Sequence, residues 1–480
     1  MRALTLLIAA LAVFRIAALA VNGTELFVDE SQYWSWSLAP AFGYFSKPPL
    51  VAWLIGASTA VCGNGEFCIR LPALLLNLGT SIVLYFLGRR LFDARVGFWS
   101  ALTFATLPVI SLSSAIMSTD APLLFAWAVA LLAFAHLART ENPRISAAIG
   151  LGIAIGLGLN AKYAMGYFVL CIGVYLILAP SRRPLLRRPH LWIALAIALA
   201  LIAPNLIWNA THGFATFAHT ASNAHWTGSL FHPDQALEFL ASQFAIFGPV
   251  LFIALLLVTW QGRWSFRRLG EADRLLIAFS VPIILLMVIQ GLLSTSNANW
   301  ALTAYVSGTV LVVSRLVRPG LTGWLKASTA LHVAFAIVFA LAEWQAASFI
   351  LPGGTNPFAR VLGSRGLAAE MRSTLATSPY ASILTNSRSD TAALLYYGRD
   401  LQQPLYVWRA DAAPANHFEL TRPFTARSPT PSLFLSSTDD VSGIAEHFTT
   451  VKPLGARTIQ IDQFSTRTVY LYALSGYDGS

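Results

Sequence analysis

Asp29 and Glu30, followed fourteen residues on by Tyr44-Phe45-Ser46-Lys47-Pro48-Pro49-Leu50, place two carboxylates and an ammonium group just after the first of many long apolar runs. Ionisable groups are costly at a bilayer surface, so a cluster of them there reads first as a working site. A carboxylate can take a proton from an attacking hydroxyl, and an ammonium group can neutralise a departing phosphate. The pattern implies chemistry on a lipid-linked phosphate. The plainer alternative is a solvated loop whose lysine reaches toward lipid headgroups.

The other polar residues that stand out are Asp120, Lys162, Asn205, Asn209, His212, Asn297 and Asn299, each at or near the same end of an apolar run. Asp120, in Thr119-Asp120-Ala121-Pro122, also reads as part of a helix cap with Pro122 in the first turn. Lys162 stands on a side otherwise poor in positive charge, where a cation is available to a phosphate. Carboxylates plus a loop histidine would suit a divalent metal ion, with Asp29, Glu30, His212 and His225 as the donors to examine. Against this, His212, His219, His225 and His232 lack compact i, i+4 spacing. The chain holds no glycine-rich phosphate loop, paired CxxC or HExxH.

What must position these groups is a membrane scaffold. Of 480 residues, 56% are hydrophobic and 11% charged, with a mean hydropathy of +0.61, which excludes an ordinary soluble domain. Eleven runs are long enough to be read as spans: Ala3–Val21, Leu71–Leu87, Val96–Ser113, Ala121–Leu137, Ile145–Leu159, Tyr163–Ala179, Leu191–Trp208, Ser242–Trp260, Leu275–Leu293, Trp300–Val313 and Leu325–Ala342. Alternate loops carry the arginines: Arg89, Arg90 and Arg95; Arg139 and Arg144; Arg182, Arg183, Arg187 and Arg188; Arg263, Arg267, Arg268 and Arg274; Arg315 and Arg318. Basic residues mark the cytoplasmic side, so the N-terminus is expected inside, with the C-terminus and the candidate residues outside. The net charge of +10 is then a topology signal beside anionic lipid and not a nucleic-acid footprint.

A cleaved signal peptide ending near Ala18-Leu19-Ala20 is the alternative for the first run, and Arg15 within it argues against cleavage. The first outer loop, 22–70, contains the shorter apolar stretch Pro49–Val61, expected to lie in the membrane plane with Trp34 and Trp36 at headgroup level. Cys62 and Cys68 are either a disulfide in an oxidising compartment or two free thiols; Cys171 falls inside a span. Beyond Glu343 the long apolar runs stop. A membrane domain over 1–343 is therefore expected to carry a small extracytoplasmic α/β domain over 344–480. Ser432–Leu435 and Thr468–Tyr472 read as its strands, Leu367–Ala376 and Thr391–Tyr397 as its helices. Tyr396, Tyr397, Arg399 and Asp400 read as a surface turn there.

Several of these segments, in this order, resemble glycosyltransferase family 39, which holds protein O-mannosyltransferases and lipid A aminoarabinose transferases. They are Asp29-Glu30, the Tyr-Phe-x-Lys-Pro-Pro-Leu run at 44–50, Arg70-Leu71-Pro72, Thr119–Leu123, the glycine-rich stretch ending at Lys162-Tyr163, Pro204–His212 and Asn299-Trp300. The similarity covers about residues 1–320 and implies a GT-C fold, a multi-span helical bundle with interfacial helices in its first outer loop. It also implies a polyprenyl (undecaprenyl) phosphate-sugar donor entering from the bilayer. By that resemblance Asp29 is the base or a metal-linked residue and Asp120 the second acid. Lys47 contacts the lipid phosphate with Tyr44 in the same run. Ser46 departs from the pattern, because the aminoarabinose transferases carry Glu before the Lys-Pro pair.

The expected activity is an inverting sugar transfer to an envelope acceptor such as lipid A or another glycan, at the periplasmic face of a bacterial inner membrane. Lys47 and Lys162 would stabilise the leaving phosphate, Asp29 would take the acceptor proton, and Glu30 would position Asp29 or bind a metal. One displacement needs no second carboxylate nucleophile. A protein acceptor is the alternative within the class. Outside it stand a lipid-linked-sugar transporter, which would place polar groups at the midplane, and a non-catalytic membrane subunit.

Overall fold

The computed structural model describes residues 2–226, 230–264, 269–318 and 320–479. Its membrane part opens with α1 (Arg2–Ala20), α2 (Val28–Ser37), α3 (Leu50–Cys62), α4 (Glu66–Leu91), α5 (Ala94–Thr106), α6 (Pro108–Ala115) and α7 (Asp120–Arg139). It continues through α8 (Ile145–Ala161), α9 (Tyr167–Leu178), α10 (Pro189–Thr211), α11 (Ala215–Ser222), α12 (Pro233–Ile246) and α13 (Pro249–Trp264). Then come α14 (Glu271–Ala278), α15 (Val281–Leu293), α16 (Ala304–Leu316) and α17 (Thr322–Trp344).

Each of the eleven apolar runs is helical, but they are not equal. Among the described residues five helical stretches are long and apolar enough to cross a membrane, or up to seven if two bent pairs each count as one span. The remaining four runs form shorter apolar helices. The run 96–113 bends by 56° between α5 and α6, where Pro108 removes an amide. The expected span 242–260 is not one helix: α12 and α13 meet at 118°. The cause is local. Gly248 has φ +86°, which favours glycine, a Cβ there would lie 2.2 Å from His332 Nε2, and Pro249 opens the next helix.

The bundle core is aromatic. Trp127, Phe134, Phe168 and Phe279 pack mostly edge to face, with ring centroids 4.8–6.3 Å apart. Arginines gather at the end of α7 away from Asp120, and the helical rise puts Arg139 about 28 Å from Asp120 along the axis. There Arg182 pairs with Glu271 and Arg315 with Asp273. Arg267 and Arg268 lie outside the described residues.

After α17 come α18 (Ser364–Thr377), β1 (Ser382–Thr385), α19 (Arg388–Tyr397), β2 (Leu405–Val407), α20 (His417–Thr421), β3 (Ser432–Ser436), α21 (Ser442–Ala445), β4 (Phe448–Gln460) and β5 (Thr466–Tyr477). The sheet order is β2-β1-β3-β5-β4, with β1 parallel to both its neighbours and β3, β5 and β4 antiparallel. The β1 and β3 strands are buried throughout, as central strands covered on both faces should be.

This α/β part does not stand apart from the first outer loop. Leu367, Met371, Tyr396 and Tyr397 share one core with Leu26, Trp34, Trp36, Tyr44 and Ile55. Two expectations are corrected by that packing. Trp34 and Trp36 are buried and not at headgroup level, and Tyr396 and Tyr397 are docking residues and not a surface turn. Tyr397 Oη donates to Glu66 Oε1 at 2.6 Å, Tyr396 Oη donates to the Asn64 carbonyl at 2.8 Å, and Arg365 pairs with Glu66. Asn64 is presented by a loop that the Cys62–Cys68 disulfide closes, so those thiols are paired, while Cys171 is buried and free.

A buried ion pair fixes the loop to the bundle. Glu30, in the first turn of α2, and Arg70, near the start of α4, are 0% and 1% exposed. Glu30 Oε1 accepts from Arg70 Nε at 3.0 Å and from the Met117 amide at 2.8 Å, and Oε2 accepts from Arg70 Nη2 at 2.9 Å and the Phe27 amide at 3.0 Å. The guanidinium also donates to Thr24 Oγ1 and to the Glu25 carbonyl. With its hydrogen bonds satisfied on both sides, the pair tolerates burial. Nearby, Pro72 leaves the Cys68 carbonyl without its helical donor, and Ser58 Oγ supplies one at 2.6 Å. Glu30→Ala or Arg70→Ala, leaving one buried charge unpaired, should each cost about 3–5 kcal/mol, and the double variant far less than their sum. Unfolding of the full-length protein in micelles measures this; strictly additive losses would refute the clamp.

Candidate functional site

A cavity of about 320 Å³ opens between the first outer loop, the α10–α11 region and the α/β part. Asp29, Gln32, Phe45, Ser46 and Lys47 line it from the first loop, with His219, Asn223, Asn297 and Trp300 from the bundle. Arg388, Asn416 and His417 close it from the α/β part. Asp29 follows directly from the clamp: α2 turns Glu30 inward to Arg70 and leaves its neighbour facing the cavity, where Asp29 forms an ion pair with Arg388. Arg388 also donates from Nε to Gln32 Oε1 at 2.6 Å.

Lys47 is held by the turn before α3. The Lys47 carbonyl accepts from the Tyr44 amide at 3.2 Å. Asn205 Nδ2 anchors the Phe42 carbonyl at 2.7 Å, and Thr216 Oγ1 donates to the Tyr44 carbonyl at 2.7 Å. Gly43 permits the approach to α10, because a Cβ there would fall 2.4 Å from the Trp208 ring. Burial pushes the Lys47 ammonium below its ordinary range, and Lys162 pushes it further, while Asp29 and Asp120 oppose the shift. Lys47 is thus a desolvated cation that gains from an anionic partner.

Asp120 and Lys162 sit beside this cavity without lining it. Lys162 Nζ lies 2.7 Å from Asp120 Oδ1, and Asn299 Nδ2 donates to Asp120 Oδ2 at 2.8 Å. Because the Met117 amide is tied to Glu30, the clamp also sets where the turn before α7 presents Asp120.

Some expected roles change. Tyr44 does not line the cavity: it is buried, stacked on Trp36 at 4.5 Å, and its hydroxyl donates toward the Trp36 carbonyl. It shapes the turn that carries Lys47. Glu30 is spent on the clamp. The proposed metal donors do not converge either. Glu30 has four hydrogen-bond donors already, Asp29 faces Arg388, His212 stacks on Trp208 at 4.1 Å, and His225 Nδ1 lies against the Asn223 carbonyl. Among the described residues no group of three or more His, Cys, Asp and Glu is arranged to hold an ion. As arranged, these four donors do not form a divalent-metal site.

Arg388, Gln32, Asn416 and His417 were not anticipated, and His219 stood out only as one of four loop histidines. Arg388, Asn416 and His417 reach the cavity only through the docking of the α/β part, whereas Gln32 stands three residues after Asp29 on α2 and His219 lies on α11. His417 packs edge-on to Trp36, with centroids 5.1 Å apart, and burial lowers its pKa from 6.5 to about 4, helped by Arg422. Its folded value lies below its unfolded one. The stability it contributes is therefore complete above pH about 6.5 and is lost as pH falls toward about 4. Partial exposure limits the effect to about 1–3 kcal/mol. His417→Phe should flatten that part of the stability profile relative to the parent, read by thermal unfolding between pH 7 and about 4; parallel profiles would refute the assignment.

The chain resembles known proteins along most of its length. A family model described as dolichyl-phosphate-mannose-protein mannosyltransferase matches residues 46–208. Lipid A galacturonosyltransferase RgtD of Rhizobium johnstonii is 34% identical over 415 residues, 86% of each chain. An undecaprenyl phosphate-α-4-amino-4-deoxy-L-arabinose arabinosyl transferase of Pseudomonas fluorescens is 27% identical, over 61% of this chain and 53% of its own. Among solved structures, ArnT from Cupriavidus metallidurans bound to undecaprenyl phosphate superposes with a TM-score of 0.69 at 14% identity, covering 98% of this chain and 97% of that one.

Proposed function

Because the chain belongs to glycosyltransferase family 39, of the GT-C class, we propose that it moves a sugar from undecaprenyl phosphate to lipid A or a related envelope glycolipid, with inversion. It is a membrane glycosyltransferase. The observation that carries the reading is Lys47, a desolvated cation in the same cavity as the half-exposed carboxylate Asp29. Lipid A is favoured as acceptor by the galacturonosyltransferase match, which spans 86% of both chains, and the donor lipid by the aminoarabinose transferases.

In the reaction the acceptor hydroxyl attacks the anomeric carbon as the bond to the lipid phosphate breaks. The phosphate leaves with the bonding electron pair, and Lys47, with Lys162 behind it, receives the growing negative charge on an ammonium that is itself partly desolvated. Asp29 takes the acceptor proton. The Asp120–Lys162–Asn299 group holds a second charge pair beside Lys47, keeping Lys162 in place without neutralising Lys47 directly. The donor phosphodiester carries one negative charge, and the bond's electron pair adds a second that is partial in the transition state and complete on the released undecaprenyl phosphate.

The cavity side is assigned to the periplasm and the arginine-rich side to the cytoplasm of the inner membrane, with eleven crossings. Basic loop ends and the Cys62–Cys68 disulfide beside the cavity support this orientation.

With purified protein and a synthetic donor, Lys47→Ala and Asp29→Asn should each lower sugar transfer about 100-fold or more, read as released undecaprenyl phosphate. Near-normal transfer in both would end this assignment. Lys47 must be protonated, and its pKa is lowered, so kcat/KM should be full at neutral pH and fall as pH rises through a value below the ordinary 10.5. Lys47→Arg should move that alkaline limb upward; an unmoved limb would assign it to another group. Exhaustive chelation should leave transfer unchanged, and loss of activity restored by one divalent ion would contradict the donor geometry.

A further inference from the structure

We infer that Arg388 selects the donor sugar: it binds the carboxylate of a uronic-acid sugar and, in doing so, releases Asp29 to act as base. The inference rests on the transferase reading above and adds the class of sugar, which the relatives do not settle.

Charge within the cavity is the first argument. Its lining holds two fixed cations, Lys47 and Arg388, against one carboxylate, Asp29. Lys47 is matched by the lipid phosphate. A neutral sugar would leave Arg388 with Asp29 alone, and an amino sugar would bring a third cation into the same space. With phosphate on Lys47 and Asp29 on Arg388 the lining charges cancel, so a sugar carboxylate enters by taking the place of Asp29 on Arg388, and the one charge left unpaired is the freed base. Ser46, adjacent to Lys47 and lining the same cavity, offers a hydroxyl and no acid to hold a sugar ammonium. Asn223 and Asn297 suit neutral hydroxyls.

Geometry is the second. Arg388 is the first residue of α19, held by the docking of Tyr396 and Tyr397 on the outer loop, so its position relative to Lys47 is set by packed elements. Its Nε is engaged by Gln32 and its Nη2 by Asp29. The guanidinium fork binds carboxylates through two parallel hydrogen bonds, which ammonium groups do not. It already holds one carboxylate, and the side chains are 40% and 53% exposed, so a ligand carboxylate can replace Asp29 without the cost of stripping a bare charge.

Exchange of one carboxylate for another on Arg388 keeps that pair neutral and leaves Asp29 without its cation, which raises its affinity for a proton. Asp29 then takes the proton of the acceptor hydroxyl as its oxygen bonds to the anomeric carbon and the phosphate departs with the electron pair of the broken bond. Without a sugar carboxylate, Asp29 stays on Arg388 and is the poorer base.

The test compares undecaprenyl phosphate-linked galacturonate, galactose and 4-amino-4-deoxyarabinose on the full-length protein in nanodiscs, with lipid A as acceptor. The galacturonate donor should exceed the galactose donor in kcat/KM by about 100-fold or more, because a site built to bind a charged group rejects the analogue lacking it. Arg388→Gln should bring that ratio to within about threefold of one, and Arg388→Lys should leave an intermediate preference. A parent ratio near one, or an Arg388→Gln variant that loses both donors equally, overturns the inference. Transfer of galactose or aminoarabinose with galacturonate refused overturns it too, while the transferase reading stands. Refusal of every polyprenyl-linked donor overturns both.

Discussion

The bonds between Glu30 and Arg70 govern the geometry of everything near the cavity. A carboxylate with four donors and a guanidinium with acceptors on every edge join the start of α2, the start of α4 and the Met117 turn at one point. Asp29 is one residue from that point and Asp120 three residues from the Met117 amide. Two acids that read alike in sequence, Asp29 and Glu30, therefore have opposite duties. The inward one fixes the scaffold, and the outward one is left for chemistry. An apolar pair of similar volume could hold these segments at comparable stability, but it would not specify direction through two hydrogen bonds on each carboxylate oxygen.

The α/β part is continuous with the site. Its helices α18 and α19 complete the core begun by Trp34, Trp36 and Tyr44, and its residues Arg388, Asn416 and His417 form one wall of the cavity. Removing it would bare those aromatic faces and delete that wall together, so its contributions to stability and to selectivity are not separable by truncation. Charge supplied from this part meets charge supplied from the membrane part inside the cavity at Asp29–Arg388, and outside it at Glu66–Arg365.

The arrangement also accounts for the placement of polar groups along the bundle. At the cavity end Asn205 and Asn209 bind Tyr163 and the turns of the two outer loops, so these amides act as struts between helices and loops. The arginines at the other end pair with Glu271 and Asp273 or cap carbonyls, as Arg182 does for Ala138. Between the two ends the core is aromatic and aliphatic. The buried polar groups among them are paired locally, as where Tyr305 Oη donates to Gln243 Oε1 at 2.6 Å and Arg15 donates to the Ala105 carbonyl and to Ser111.

Hydropathy by itself determined the membrane class, the helical runs, the change to α/β structure after Glu343 and the gathering of candidate groups on one side, since these follow from composition and period along the chain. It also pointed to Asp29, Lys47, Asp120 and Lys162 as residues of one region. The reading by hydropathy ran across the Gly248-Pro249 break that divides α12 from α13, a local signal the sequence does carry, and it could not show that β1, β2 and β4 complete the sheet, because short strands are defined by their partners. Only tertiary structure separated Glu30 from Asp29, took Tyr44 out of the cavity and brought in Arg388 from 359 residues away. The physical reason is the same in each case: a side chain's duty is set by the direction in which its neighbours leave it facing, and those neighbours are remote in the chain.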